Sequence, residues 1–209
     1  MTFSDFTSVA QIEKQFALSV RSLSGLFAET GDAELPPYFL ENLDKSRRLA
    51  VAINTEKARS EFIIAPVLFQ AWTTQQTHTS LFSGIEFKVS PEEGLSGRCD
   101  FILSASQDMM FLTAPILTIV EAKNDNIHDG FAQCIAEMIA ASRFNEAKKN
   151  IIPTIYGCVT TGTEWRFLRL RHEQNLVEID VDEYQITNVE RIIGILVHIL
   201  QTAQQQGII

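Results

Sequence analysis

Two short, largely apolar segments carry charged side chains where such charges are costly. Residues 98–103 (Arg-Cys-Asp-Phe-Ile-Leu) predict a strand with one carboxylate, Asp100, near its start. Residues 116–123 (Ile-Leu-Thr-Ile-Val-Glu-Ala-Lys) predict a buried strand that ends in Glu121, Ala122 and Lys123. Side chains two positions apart on a strand share a face, so Glu121 and Lys123 project together. Ala122 then points away, and its carbonyl oxygen is exposed near the strand end.

A hairpin of these two strands would bring Asp100 beside Glu121, where the two carboxylates repel each other. A divalent cation relieves that repulsion, and hard oxygen ligands suit Mg²⁺ or Mn²⁺. We therefore predict a metal site made by Asp100, Glu121 and the Ala122 carbonyl oxygen. Lys123 would orient or help to deprotonate a water molecule, or stabilise charge on a phosphate. The alternatives are an Asp100 that caps a turn and a Glu121–Lys123 ion pair on a helix surface.

The arrangement resembles the signature of the PD-(D/E)xK nuclease superfamily. The resemblance rests on Asp100, on the triplet 121–123 and on the segments 130–137 and 155–160, and it spans roughly residues 55 to 170. Cys99 stands where the superfamily usually has proline. The resemblance implies a restriction-endonuclease-like fold with an αβββαβ core, and hydrolysis of phosphodiester bonds with Mg²⁺ or Mn²⁺.

Two further residues acquire roles from this resemblance. In the superfamily, an acidic residue on the helix before the first core strand reaches the metal site, directly or through water, and Glu61 is the candidate here. A polar residue one turn into the helix after the Lys123 strand helps to orient the site, which implies Gln133. Gln133 shares a helix face with Glu137. The alternatives are a solvated helix glutamate and an ordinary surface glutamine.

The apolar pattern predicts an α/β fold in which a central mixed β-sheet is flanked by helices. Residues 1–54 are expected to form a helical addition packed on the core, and residues 55–209 the nuclease core with its C-terminal helix, as a single compact domain. The predicted helices are 8–16, 38–53, 55–74 with a kink at Pro66, 130–144 and 188–204; the predicted strands are 17–23, 81–89, 98–105, 116–123, 151–160, 165–170 and 176–181. Residues 109–111 are expected to extend the pairing. Strand 151–160 should lie parallel to the Glu121 strand.

The net charge of −9 argues against a broad electrostatic affinity for nucleic acid. A bound cation would offset part of the acidity, and a local basic rim remains open to an acidic protein. The candidates for that rim are Lys45, Arg47, Arg48, Arg143, Lys148, Lys149, Arg166, Arg169 and Arg171. Trp165 could stack on a nucleic acid strand beside them, although a half-exposed strand face explains it equally well.

Other kinds of site find little support. The three cysteines lack a CxxC spacing and cannot supply the four ligands of an iron–sulfur cluster within one chain. The four histidines lack metal-ligand spacing. We expect a reducing, cytoplasmic compartment, no signal peptide and no membrane span.

The function expected from the residues and the resemblance is that of a Mg²⁺-dependent nuclease acting on DNA. An alternative is a catalytically inactive module of the same fold, which acts in protein assembly or nucleic-acid binding and forms a homodimer or a partner complex through residues 189–200. A third reading is a nuclease domain whose DNA is supplied by a targeting subunit.

Overall fold

The computed structural model describes residues 1–205, as helices and strands that alternate along most of the chain. The last four residues of the predicted core, 206–209, lie outside the described residues. The helices are α1 (Val9–Phe16), α2 (Pro37–Ile53), α3 (Glu56–Arg59), α4 (Ala65–Thr73), α5 (Phe131–Ala147) and α6 (Val189–Gln205). The strands are β1 (Ser19–Leu23), β2 (Ser80–Ser90), β3 (Leu95–Ser104), β4 (Ile116–Ala122), β5 (Thr154–Thr160), β6 (Glu164–Arg171), β7 (Leu176–Asp180) and β8 (Tyr184–Gln185).

The described strands form one mixed sheet of eight in the order β1-β7-β6-β5-β4-β3-β2, with β8 paired to β6. β4 and β5 are parallel, as are β1 and β7, and the other pairs are antiparallel. The α/β class, the mixed sheet and the parallel β4–β5 pair are as predicted. Helix α5 connects these two central strands, so their C-terminal ends lie side by side. Every residue of β4 is buried, which explains its nearly continuous apolar sequence.

Helices cover both faces of the sheet. Gly157 of β5 faces Met138 and Cys134 of α5, whereas its neighbour Tyr156 contacts Phe27, in the turn after β1, on the opposite face. Helix α6 also contacts β4. α4 and α6 pack together, and α2 lies against the turn before α4. The apolar side chains of α6, including Ile192, Ile193, Ile195, Leu196 and Ile199, are buried in the core. They are therefore occupied within the chain and leave no apolar face of residues 189–200 for the dimer interface considered above.

Residues 1–54 contribute more than helices. β1 forms the sheet edge beside β7, and Phe3, Phe6 and Ile12 are buried in the same core cluster as the central strands. No helix within residues 1–205 is both long and apolar enough to cross a membrane.

Asn145 near the end of α5 fixes the start of β4. Its side chain is buried, accepts a hydrogen bond of 2.7 Å from the Ile116 N–H and donates one of 2.9 Å to the Ile116 carbonyl. Gly157 allows α5 to lie close to the sheet, since a Cβ there would be 2.4 Å from the Met138 sulfur. Asn145 thus joins α5 to β4, and the close approach at Gly157 joins α5 to β5.

Three predicted elements differ in the structure. Residues 109–111 do not extend the pairing, because the Asp108 carboxylate accepts the N–H groups of Met110 and Phe111 and makes a turn there. The helix predicted over 55–74 contains a π-turn (Ser60–Ile64) just before Pro66, which itself cannot donate an intrahelical bond. The strand predicted from residue 151 begins at Thr154, since Pro153 has no N–H.

A buried carboxylate ties the sheet edge together. Glu178 on β7 accepts hydrogen bonds from Arg169 and Arg171 on β6 and from Arg21 on β1. Burial alone would raise the pKa of Glu178, but the three guanidinium groups lower it to about 2. The charged form is therefore the one that stabilises the fold.

We expect Glu178→Gln to reduce the pH dependence of stability in acid. A carboxylate with a lowered folded-state pKa stabilises the protein above its ordinary pKa of 4.5, and this contribution is lost as the pH falls towards 2. Urea unfolding should show a large difference in unfolding free energy between wild type and variant at pH 7 and a smaller one at pH 3. Glu173→Gln, at an exposed turn position, is the control. A difference that stays constant with pH would contradict this role.

Candidate metal centre at the ends of the central strands

Asp100 and Glu121 meet where β3 and β4 pair. The antiparallel register places Phe101 opposite Val120, so Asp100 lies beside the end of β4. The Ala122 N–H donates a hydrogen bond of 2.8 Å to Asp100 Oδ2. The structure therefore brings together the two carboxylates and the residue whose carbonyl was predicted as the third ligand.

Glu121 is nearly inaccessible to solvent, with 2 % of its surface exposed. Its Oε1 accepts a hydrogen bond of 2.5 Å from Lys123 Nζ, and its buried Oε2 has no hydrogen-bond partner among the described residues. Burial and the neighbouring Asp100 charge raise the pKa of Glu121 to about 8, against the opposing effect of Lys123. A buried carboxylate oxygen without a partner is costly, and a cation would remove that cost.

Asp100 is half-buried and borders a cleft of about 270 Å³. Burial raises the pKa of Asp100, while the Ala122 N–H and the Lys123 charge act in the opposite direction. Gly84 on β2 also lines the cleft and has a φ of +63°, a conformation that other residues rarely adopt. A Cβ at Gly84 would meet no atom within 4 Å, so the space in front of Asp100 is open.

The donor set fits a hard cation. Asp100 and Glu121 offer carboxylate oxygens, and Ala122 lines the same cleft. No group of three or more His, Cys, Asp or Glu side chains within residues 1–205 is arranged to hold a metal. A cation here would therefore depend on two carboxylates, with main-chain or water oxygens completing its coordination.

Lys123 lies between the carboxylates and helix α5. Its ammonium group donates to Glu121 and, over 3.1 Å, to Gln133 Oε1. Burial is the largest single effect and lowers the pKa of Lys123. The charge and hydrogen bond of Glu121, together with the charges of Glu56 and Asp100, outweigh it, and the pKa lies above its ordinary value. Lys123 is thus held as a cation, which suits it to stabilise negative charge rather than to accept a proton. Gln133 has the contact expected from its position on the helix.

Glu61 borders the cleft, but its carboxylate is bound by Lys57 at 2.7 Å and is half-exposed. Sequence analysis missed Glu56, which lies in the first turn of α3 after the Thr55 cap and also lines the cleft. The charge of Glu56 raises the pKa of both Glu121 and Lys123, so this acid faces the site. The sequence held one signal for Glu56. Thr55 is a typical helix N-cap, and Glu56 is therefore the first residue of the helix that borders the site.

The predicted basic rim is largely neutralised within the chain. Arg47 and Arg48 pair with Asp44, and Arg143 pairs with Glu93. The three arginines of β6 are also paired, Arg166 with Glu164 and Glu183, and the other two with Glu178.

Trp165 is completely buried and donates its indole N–H to the Gly162 carbonyl, so the idea that it stacks on nucleic acid is wrong. The strand alternation was read correctly, but the face that carries Trp165 is covered by the chain itself.

The cysteines do not form a metal site. Cys99, Cys134 and Cys158 are all free and buried, and burial raises the pKa of each thiol. They therefore behave as small core residues.

No protein-family model matches the sequence, and a search of curated proteins finds no match either. The nuclease resemblance therefore depends on the residues and on the geometry given above.

Gly130 precedes α5 and packs directly on the Lys123 side chain. A Cβ at Gly130 would lie 2.4 Å from Val159 Cγ1 and 3.2 Å from Lys123 Cγ. We expect Gly130→Ala to displace Lys123 and to lower the unfolding free energy by about 1–3 kcal/mol, because the crowded atoms must move. NMR with ¹³C-labelled lysine measures the first effect through the Lys123 Cε resonance, which is assigned by its loss in Lys123→Met.

Gly31→Ala is the matched control, since a Cβ at Gly31 meets no atom within 4 Å. Identical Lys123 resonances in wild type and in both glycine variants would show that Gly130 does not position this lysine.

Proposed function

We propose that the chain is a metal-dependent nuclease that hydrolyses phosphodiester bonds, with DNA as its substrate. The observation that carries the proposal is the buried Glu121, whose second oxygen has no partner among the described residues and which lies beside Asp100. Asp100 borders an open cleft, and Glu121 and Lys123 lie behind it. Two adjacent carboxylates and a lysine are the groups that metal-assisted phosphoryl chemistry requires.

The order of elements supports a restriction-endonuclease-like core. The run α4-β2-β3-β4-α5-β5 has the αβββαβ order of that fold, with the acids on two adjacent strands and β5 parallel to β4. Glu61 and Glu56 come from the helical segment that precedes this core and border the cleft. Fold by itself does not establish function, so the proposal depends on the site.

Asp100, Glu121 and the Ala122 carbonyl would hold Mg²⁺ or Mn²⁺. When bound, the cation supplies a more acidic water and neutralises charge on the phosphate. Lys123, held as an ammonium group by Glu121 and Gln133, would orient the attacking water and stabilise the additional negative charge of the transition state. Glu61 and Glu56 would act at the rim of the cleft.

The negative net charge of the chain favours a nuclease that depends on a partner to bring it to DNA. The net charge is −9, and the arginines that could contact a DNA backbone are engaged by carboxylates of the same chain. An isolated chain would therefore bind duplex DNA weakly. A targeting subunit in the cytoplasm would provide this affinity, and a homodimer is the other assembly that could. The negative net charge and the paired arginines also support the alternative, a non-catalytic module of this fold.

We expect cleavage in the presence of Mg²⁺ or Mn²⁺ to fall by about 100- to 1,000-fold or more in both Asp100→Asn and Lys123→Met. The substrates are plasmid, linear duplex, single-stranded DNA, branched DNA and RNA, which also identifies the substrate class. Glu173→Gln is the control, because this glutamate lies in an exposed turn after β6. Cleavage that survives in both site variants would rule out the proposed centre.

If no substrate is cut, calorimetric titration with Mn²⁺ distinguishes a nuclease that needs a partner from a non-catalytic module. Binding that is lost in Asp100→Asn indicates an intact centre that awaits its partner. A folded wild-type chain that binds no Mn²⁺ and cuts no substrate is the outcome expected of the non-catalytic module, and it would refute the nuclease.

A further inference from the structure

A third carboxyl group lies near the two carboxylates of the candidate centre and does not line the cleft. Glu137 of α5 has no solvent exposure, and its Oε2 has no hydrogen-bond partner among the described residues. Burial raises its pKa well above the ordinary value. A fully buried carboxyl group with an unsatisfied oxygen is costly to retain. Among the described residues, its other oxygen has a hydrogen bond with Gln133.

That hydrogen bond belongs to a chain of hydrogen bonds that includes Lys123. Gln133 lies one turn before Glu137, and its Nε2 donates to Glu137 Oε1 over 3.1 Å. The other end of the same amide, Gln133 Oε1, accepts from Lys123 Nζ over 3.1 Å. The chain therefore runs from Glu137 through Gln133 to Lys123 and on to Glu121.

The amide in the middle of this chain has a direction. A glutamine side chain has one acceptor end and one donor end, and only the acceptor end can face an ammonium group. The carboxyl oxygen of Glu137 accepts from the donor end and so selects the orientation that presents Gln133 Oε1 to Lys123. Without that acceptor, only Lys123 would hold the amide in this orientation, and the unpaired N–H₂ group would favour other positions of the Gln133 side chain.

The helix that carries both residues is held rigidly. Asn145 binds α5 to the start of β4, and Met138 and Cys134 of α5 lie directly against Gly157 of β5. Glu137 is therefore a fixed point from which the orientation of the amide can be set.

We propose that Glu137 is a positioning residue that holds Lys123 in place by orienting the Gln133 amide. This inference rests on the proposed function, in which Lys123 acts on the phosphate, and it adds a residue that touches neither substrate nor cation. A purely structural Glu137 would affect stability without affecting Lys123.

The first test measures Lys123 directly and needs no catalytic activity. In protein labelled with ¹³C-lysine, a fixed Lys123 should show two distinct ε-proton resonances, which merge when the side chain becomes free to rotate. We expect two resonances in wild type, a merged one in Glu137→Met, which removes the acceptor at similar size, and two again in Glu137→Gln, whose amide oxygen accepts from Gln133.

A double-mutant cycle tests the route through Gln133. If Glu137 acts only through this amide, the Lys123 resonances of Gln133→Met should not change further when Glu137→Met is added. Ser142→Ala is the matched control, because it removes another side-chain hydrogen bond of α5, the one with His172, and should leave Lys123 fixed. Additive effects of the two substitutions, or a Lys123 that stays fixed in Glu137→Met, would overturn the proposal.

A measurement on the wild type covers the case in which Glu137→Met does not fold. The side-chain N–H₂ protons of Gln133 should exchange slowly with D₂O and should shift in Glu137→Gln. Fast exchange in wild type would show that the Gln133–Glu137 bond is not formed, and the proposal would fail.

Kinetics extends the test to catalysis. On the substrate identified by the cleavage panel, kcat should be about 10- to 100-fold lower in Glu137→Met with KM nearly unchanged, and Glu137→Gln should restore it. If wild type cuts no substrate, this counts against the proposed nuclease activity but not against the role of Glu137. The NMR results on Lys123 test that role independently.

Discussion

The register between β3 and β4 is the constraint on which the candidate site depends. It places Asp100 beside Glu121 at the end of a fully buried strand, and it leaves one Glu121 oxygen without a partner among the described residues. Two carboxylates in such surroundings repel each other and resist ionisation, so their charged forms need compensating positive charge. Lys123 provides part of it. A divalent cation in the adjacent cleft would provide the rest.

Helix α5 links this strand end to the rest of the protein. It supplies Gln133 to Lys123, holds the start of β4 through Asn145, and lies close to β5 over Gly157. The glycine before the helix leaves just enough space for the lysine side chain. The position of the ammonium group is therefore set by backbone packing on two sides as well as by its ion pair. The basic residues of the predicted rim have another role, because most of them form ion pairs with carboxylates of the same chain.

Much of the fold follows from local pattern. The apolar, β-branched runs identified β3 and β4, and strands 151–160 and 165–170 correspond to β5 and β6. The prediction over 109–111 was wrong because the Asp108 side chain competes for the backbone N–H groups, an effect that hydrophobic pattern does not register. Trp165 was misjudged for a related reason. Alternation shows that a strand has two faces but does not show which elements cover them.

The sequence by itself determined the types of the chemical groups and their local spacing. It identified Asp100, Glu121 and Lys123, because charges inside apolar strands are conspicuous, and it placed Gln133 one turn into the following helix. Only the tertiary structure decided which groups meet. It showed Glu61 bound by Lys57, Glu56 facing the site, and Glu137 buried behind Gln133. These relations join residues from separate elements, and the distances between such residues are set by sheet register and helix packing, which local sequence does not encode.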